Sequence, residues 1–208
     1  VKIRKLVFGI GINDADYVTQ VAKIIGYRED GRKIRTVLWT CPYYLKWCNL
    51  LRRCYNEAAL VKDPTYRGCY VVPEWHYFMT FRAWMEKQEW EGKSLDKDLL
   101  IPGNKEYGPN TCLFLDKNVN TFLLECQGRR GEWPIGVYFD KQSGKFKAQC
   151  RDNLLKKTNF LGYFNSAQQG HEAWLAEKLR QAYILAAGQS DERIAKALID
   201  RYENYQPD

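Results

Sequence analysis

Histidine is scarce in this chain, with two in 208 residues. Chemistry built on paired imidazoles is therefore not expected. His76 lies in an aromatic stretch and His171 near the start of a helical segment, and each reads as structural because neither has a partner in sequence. No CxxC occurs, and the seven cysteines are an odd number without framework spacing. That argues for a reduced, intracellular protein and against a disulfide scaffold. Cys41, Cys48, Cys54 and Cys69 match no zinc spacing, so a structural Zn²⁺ is not expected. No apolar run approaches membrane-spanning length, and no membrane partner is expected. The short apolar stretch at 6–12 is broken by Gly9 and Gly11 and soon followed by Asp14 and Asp16, which argues against a secretory signal. Gly9-Ile10-Gly11 lacks the third glycine of a dinucleotide fingerprint and reads as a turn.

Hydrophobic residues are 45% and aromatics 14% of the chain, enough for a core in one or two small domains and too much for a disordered chain. The net charge of +7 favours an acidic partner such as nucleic acid, with a merely soluble basic protein as the plain alternative. Residues 1–38 are weakly patterned, with strands expected at 6–12 and 34–39, and form a candidate amino-terminal extension. Thr40 and Pro42 suggest the start of a helix whose apolar face holds Tyr44, Trp47, Cys48, Leu51 and Tyr55. Pro73 opens a second aromatic helix reaching Met85. Gly128, Arg129, Arg130 and Gly131 mark a linker, which divides the chain into 1–127 and 128–208.

Beyond the linker the pattern turns to period two. Strands are expected at 135–139, 145–151 and 157–163, with a hairpin turn at 141–144. Ser166 and Gln169 form a capping box for a long helix that Gly188 ends. Its expected inward residues are Trp174 (or Leu175), Leu179, Ala182, Tyr183 and Ala186. Ser190 is the expected cap of a last helix running to Tyr202. The class is α+β. A helix covers only one face of such a sheet, so Tyr138, Lys145, Lys147, Gln149, Arg151 and Phe160 should share the wet face. Residues 128–185 hold ten Lys/Arg against five Asp/Glu, and Arg129, Arg130 and Lys157 extend the basic set. Lysine and arginine neutralise phosphates, Gln and Arg read base edges, and a strand ribbon fits a major groove, so double-stranded DNA is the expected partner. An ordinary solvated sheet face is the alternative.

Residues 94–120 carry the other constellation. A short strand bears Asp96-Lys97-Asp98. A loop with Asn104 follows, then a strand at 111–115 and a helix start with Asn118 and Asn120. A carboxylate and an amide oxygen in that order suit one hard divalent cation, which can polarise a phosphodiester. Singly, these residues also read as a strand end, a turn and a helix cap.

Gly136-Val137, Lys145-Phe146, Ala148-Gln149, Arg151-Asp152, Leu161-Gly162-Tyr163-Phe164 and Glu172-Ala173 resemble an AP2 domain, a three-stranded antiparallel sheet plus helix that reads DNA through its sheet. The match spans about residues 130–182. Asp96-Lys97-Asp98, Asn104, Pro109-Asn110-Thr111-Cys112 and Asn118/Asn120 resemble the HNH motif of ββα-metal nucleases. Together they resemble a phage-type HNH homing endonuclease with an AP2 module and an aromatic helical amino-terminal region. The resemblance implies a hydrolase of the host-cell cytoplasm that cuts DNA with Mg²⁺ (or Mn²⁺) held by Asp96 and Asn120, with Lys97, Asp98 and Asn104 completing the catalytic set. Lys97 stands where that family has its general-base histidine. An ammonium beside Asp96 and Asp98 stays charged and would clamp a phosphate rather than take a proton. The alternative is a DNA-binding or regulatory protein that has lost catalysis, and a third class is an interaction protein that uses the aromatic half.

Overall fold

The computed structural model describes residues 5–124 and 132–205. The chain divides into two compact units, one of Val1–Glu91 with Gly103–Cys112, the other of Gly92–Pro102 with Leu113–Asp208. This division does not follow the expected 127/128 linker, which itself falls outside the described residues.

In the first unit, β1 (Gln20–Tyr27) and β2 (Lys33–Thr40) form an antiparallel two-stranded ribbon. The second strand was expected. The first was not, because its apolar residues do not alternate. The stretch at 6–12 is a turn, closed by the Val7 and Gly11 backbones. Helix α1 (Pro42–Tyr55) buries Trp47, Leu50, Leu51 and Cys54, an i, i+3, i+4, i+7 stripe. Pro42 begins it, but the N-cap is Cys41 rather than Thr40 and supplies no side-chain bond. A short α2 (Glu57–Lys62) follows, its N-terminus capped by Asn56. The expected helix from Pro73 to Met85 is interrupted. Pro73–His76 is a 3-10 turn, Tyr77 is extended, and α3 (Phe78–Met85) starts after it. The backbone of Ile12 causes the break by bonding His76 O and Phe78 N, at 2.8 and 3.0 Å. A tertiary bridge thus overrides local propensity. Trp47 donates its indole N–H to Trp75 O at 2.7 Å, and Phe78, Phe81 and Trp84 pack around this pair. His76 bonds Val71 O through Nε2 at 3.0 Å, a structural use. The two-residue strands β3 (Tyr70–Val71) and β5 (Glu106–Tyr107) pair in parallel.

In the second unit, β4 (Ser94–Asp96) pairs antiparallel with β6 (Leu113–Leu115), and α4 (Lys117–Phe122) packs against β4. Strands β7 (Val137–Asp140), β8 (Lys145–Asp152) and β9 (Lys157–Phe164) form an antiparallel sheet in that order. Helix α5 (Ala167–Ala187) lies across one face of it and also packs on α6 (Glu192–Glu203). Ser166 caps α5 through Gln169 N as expected, whereas α6 is capped by Asp191 and not Ser190. The buried side of α5 includes Trp174, Ala182, Leu185 and Ala186 but also the polar Lys178 and Gln181, while Tyr183 faces water. One hydrophobic core joins Leu113, Leu115, Val119 and Phe122 of β6 and α4 to Trp174, Ala182, Leu198 and Tyr202 of α5 and α6.

Lys178 is the polar member of that core, 6% exposed. Its ammonium donates to Phe122 O at 2.7 Å, one of the last carbonyls of α4. It also lies 3.6 Å from the Phe122 ring centroid and 5.1 Å from that of Tyr202. A cation at a helix C-terminus meets the negative end of the dipole, and desolvated cation–π contacts add to it. Gly136 fixes the entry to β7, since with φ +82° a Cβ there would lie 2.2 Å from the Trp174 ring. His171 stacks on the same ring and donates from Nδ1 to Ile135 O at 3.1 Å, so it too is structural.

Lys178→Met, which keeps the stem and deletes the charge, should cost about 1–3 kcal/mol in a urea melt because Phe122 O loses its donor. Gly136→Ala should cost about 2 kcal/mol or more, from backbone strain and overpacking together. An unchanged midpoint for either would show that the contact does not stabilise the unit.

Candidate nucleic-acid interface and candidate metal centre

The face of the β7–β9 sheet away from α5 is defined by register. Val137, Ala148 and Gly162 lie in one row on the α5 side. The intervening rows are therefore wet: Tyr138–Lys147–Tyr163, Gln149–Phe160 and Arg151–Thr158. Tyr138, Phe160 and Tyr163 are 54%, 56% and 49% exposed, large for aromatic side chains in a folded unit. Lys147 Nζ lies 5.8 Å from the Phe160 ring centroid, and the Phe160 and Tyr163 rings meet edge to face at 5.3 Å. Lys145 and Arg151 flank this patch and are exposed. The sheet thus presents stacking surfaces with ammonium and guanidinium groups among them.

Strict alternation from Phe160 would send Tyr163 to the helix side. The register instead skips Leu161, because Ala148 pairs with Gly162 and Gln149 with Phe160. This β-bulge resets the parity, so Phe160 and Tyr163 emerge on the same face. Gly162, at φ +138°, supplies a backbone conformation that L side chains rarely adopt. A glycine inside a strand pattern is the sequence signal for such a bulge, and Tyr163 is the wet-face residue that simple alternation overlooks. Lys157 stands off this face. It pairs with Asp152, whose buried carboxylate lies 3.6 Å from Arg180 of α5. Arg129 and Arg130 fall outside the described residues.

The second candidate site starts at the end of β4. Asp96 Oδ1 accepts the backbone N–H groups of Asp98 and Leu99, at 3.0 and 2.8 Å. Asp96-Lys97-Asp98 is therefore a carboxylate-bonded turn that sends the chain out of the strand. Burial raises the Asp96 carboxyl pKa above its ordinary value, against the lowering effect of the Leu99 amide. Lys97 is 6% exposed, and its ammonium pairs with Asp98 Oδ1 at 2.6 Å. It is thus held within the fold beside a carboxylate and not extended as an open phosphate clamp.

Asn120 is half-buried on α4, next to the buried Val119, in the same unit as Asp96. Asn104 belongs to the first unit, where both ends of its amide bond the backbone of Glu106, at 2.7 and 2.9 Å. Among the described residues no three His, Cys, Asp or Glu side chains gather in a metal-sized group. The expected pair offers one carboxylate and one amide oxygen, the donor types that a hard cation takes. Asp96 Oδ1 is committed to two amides, while the desolvation of its carboxylate is a cost that a cation would offset.

Between the ordinary carboxylate pKa and the higher native value, the folded protein holds a proton that the unfolded chain has released. Stability contributed at Asp96 therefore falls as pH rises through that window. Asp96→Asn keeps the turn acceptor and removes the charge. Its stability relative to wild type should grow from about pH 4 upward, measured as the difference between the two urea midpoints. A difference that does not vary with pH would show that the carboxylate is not penalised by burial.

Comparison with known protein families, with curated proteins and with solved structures finds no match to this chain.

Proposed function

We propose that this protein binds double-stranded DNA through the wet face of β7–β9 and hydrolyses a phosphodiester at the β4–β6–α4 segment, as an HNH-type endonuclease with an AP2-like module. The observation that carries the reading is the mixture on one sheet face of three exposed aromatics with Lys145, Lys147, Gln149 and Arg151. Phosphates take the cations, and Gln149 and Arg151 have the donors and acceptors that read base edges. The order of β4, β6 and α4, with Asp96 on the strand and Asn120 on the helix, supports the catalytic half. Mg²⁺ bound by these two oxygen donors would supply Lewis-acid polarisation of the phosphodiester. Asp96 would contribute the charge, Asn120 a neutral oxygen, and Asp98, half exposed and paired with Lys97, a carboxylate to accept a proton from water.

The second reading is a DNA-binding protein without catalysis, and one observation favours it. Lys97, in the place that the resemblance gives to a general base, is buried and ion-paired with Asp98. No proton acceptor of the imidazole kind stands there. Both readings share the DNA interface.

Duplex affinity should fall linearly in log–log form with salt. Lys147→Ala and Arg151→Ala should each reduce that slope by about 1. Asp96→Ala should retain binding and lose nicking in Mg²⁺ or Mn²⁺. Salt-independent affinity would sink the interface, and undiminished nicking by Asp96→Ala would remove Asp96 from the chemistry.

A further inference from the structure

The β1–β2 ribbon belongs to the first unit and contributes no residue to the proposed sheet interface. Each strand is eight residues long, and every residue on both is exposed or half-exposed. The base is tied by Cys41 N bonding Thr19 O at 2.9 Å. A two-stranded ribbon with both faces in water is marginal by itself. This one also exposes large apolar groups, among them Ile25 at 60%, Val37 at 53% and Leu38 at 58%. Such a surface is costly unless something covers it.

The ribbon is also charged. The strands carry Lys23, Lys33 and Arg35 and no acidic residue. The two acids of the hairpin, Glu29 and Asp30, lie at its tip, where Asp30 pairs with Arg32 at 2.7 Å. A surface of this charge attracts an anionic partner. Ribbon-to-ribbon packing of two copies would oppose like charges. Register sends Lys23, opposite Thr36, to one face, and Arg35, opposite Ile24, to the other. Lys33, two residues before Arg35 on β2, shares the face of Arg35. Strands spaced about 5 Å apart and about 27 Å long fit a B-DNA major groove about 12 Å wide. The register shifts between Val21 and Ala22 and between Ile24 and Gly26 increase the right-handed twist, which helps a ribbon follow the groove. Exposed aliphatic groups have thymine methyls to meet there.

We propose that the β1–β2 ribbon is a second duplex-DNA contact, a groove-inserted arm separate from the β7–β9 face. The inference rests on the DNA-binding reading and extends it to a bipartite grip.

The test uses the full-length chain with Lys23, Lys33 and Arg35 all replaced by Gln, and a labelled 30-base-pair duplex titrated by fluorescence anisotropy over a KCl series. The triple variant should melt like wild type, bind about 10- to 100-fold more weakly at 0.1 M KCl, and show a salt slope shallower by about 2–3. Unchanged affinity and slope, with Lys147→Ala still weakening binding, would overturn the arm and leave the sheet interface standing. Absence of any duplex binding by the wild-type chain would overturn both. A triple variant that keeps DNA affinity but loses retention on a poly-glutamate matrix, or changes its sedimentation, would assign the ribbon to an acidic protein or to self-association and overturn the arm.

Discussion

A buried ammonium joins two parts of this protein that its sequence presents as separate. Lys178 leaves the inner side of α5, reaches the last turn of α4, and sits over the Phe122 ring with Tyr202 closing around it. Removing a lysine from water costs several kcal/mol, so it persists inside only where donors are used and the charge is met. Here a helix-terminal carbonyl and aromatic faces meet it. The consequence is architectural: the β4–β6–α4 segment shares a core with the β7–β9 sheet and its helices. In this unit the acidic turn and the basic sheet are not modules on a tether.

The wet sheet face depends on a smaller device. One extra residue at Leu161 changes which way every later side chain of β9 points. Tyr163 joins Phe160 and Lys147 for that reason, and the face becomes aromatic as well as cationic. A purely charged face would be an ordinary solvated surface. Exposed rings among cations add stacking and cation–π capacity, which nucleic acid uses and water does not.

The acidic turn shows how a motif-like string can fold inward. Asp96 spends one oxygen holding its own backbone, and Lys97 is buried against Asp98. In that environment the ionised Asp96 is disfavoured, a condition common to metal ligands and to structural turns. The Lys97 side chain is taken up by that ion pair, inside the fold. Any hydrolysis at this turn would then rely on Lewis-acid assistance.

The sequence alone determined the strands and long helix of the carboxy-terminal region, because alternation at 145–151, the Gly-bearing turn and the Ser166 cap are local signals that need no partner. It also determined the basic, aromatic character of the sheet, but of the expected α1 stripe only Trp47 and Leu51 are buried, with Leu50 and Cys54 taking the places of Tyr44, Cys48 and Tyr55. Tertiary structure decided the rest. It broke the helix after His76 through the Ile12 backbone, put Lys178 and Gln181 on the buried side of α5 in place of Tyr183, and brought Tyr163 to the wet face. It also paired Gln20–Tyr27 with β2 into an exposed ribbon that the period of its residues does not announce. In each case the deciding energy comes from a group distant in sequence: a backbone bond, a ring around a cation, or a strand register. Periodicity within a segment carries no information about any of them.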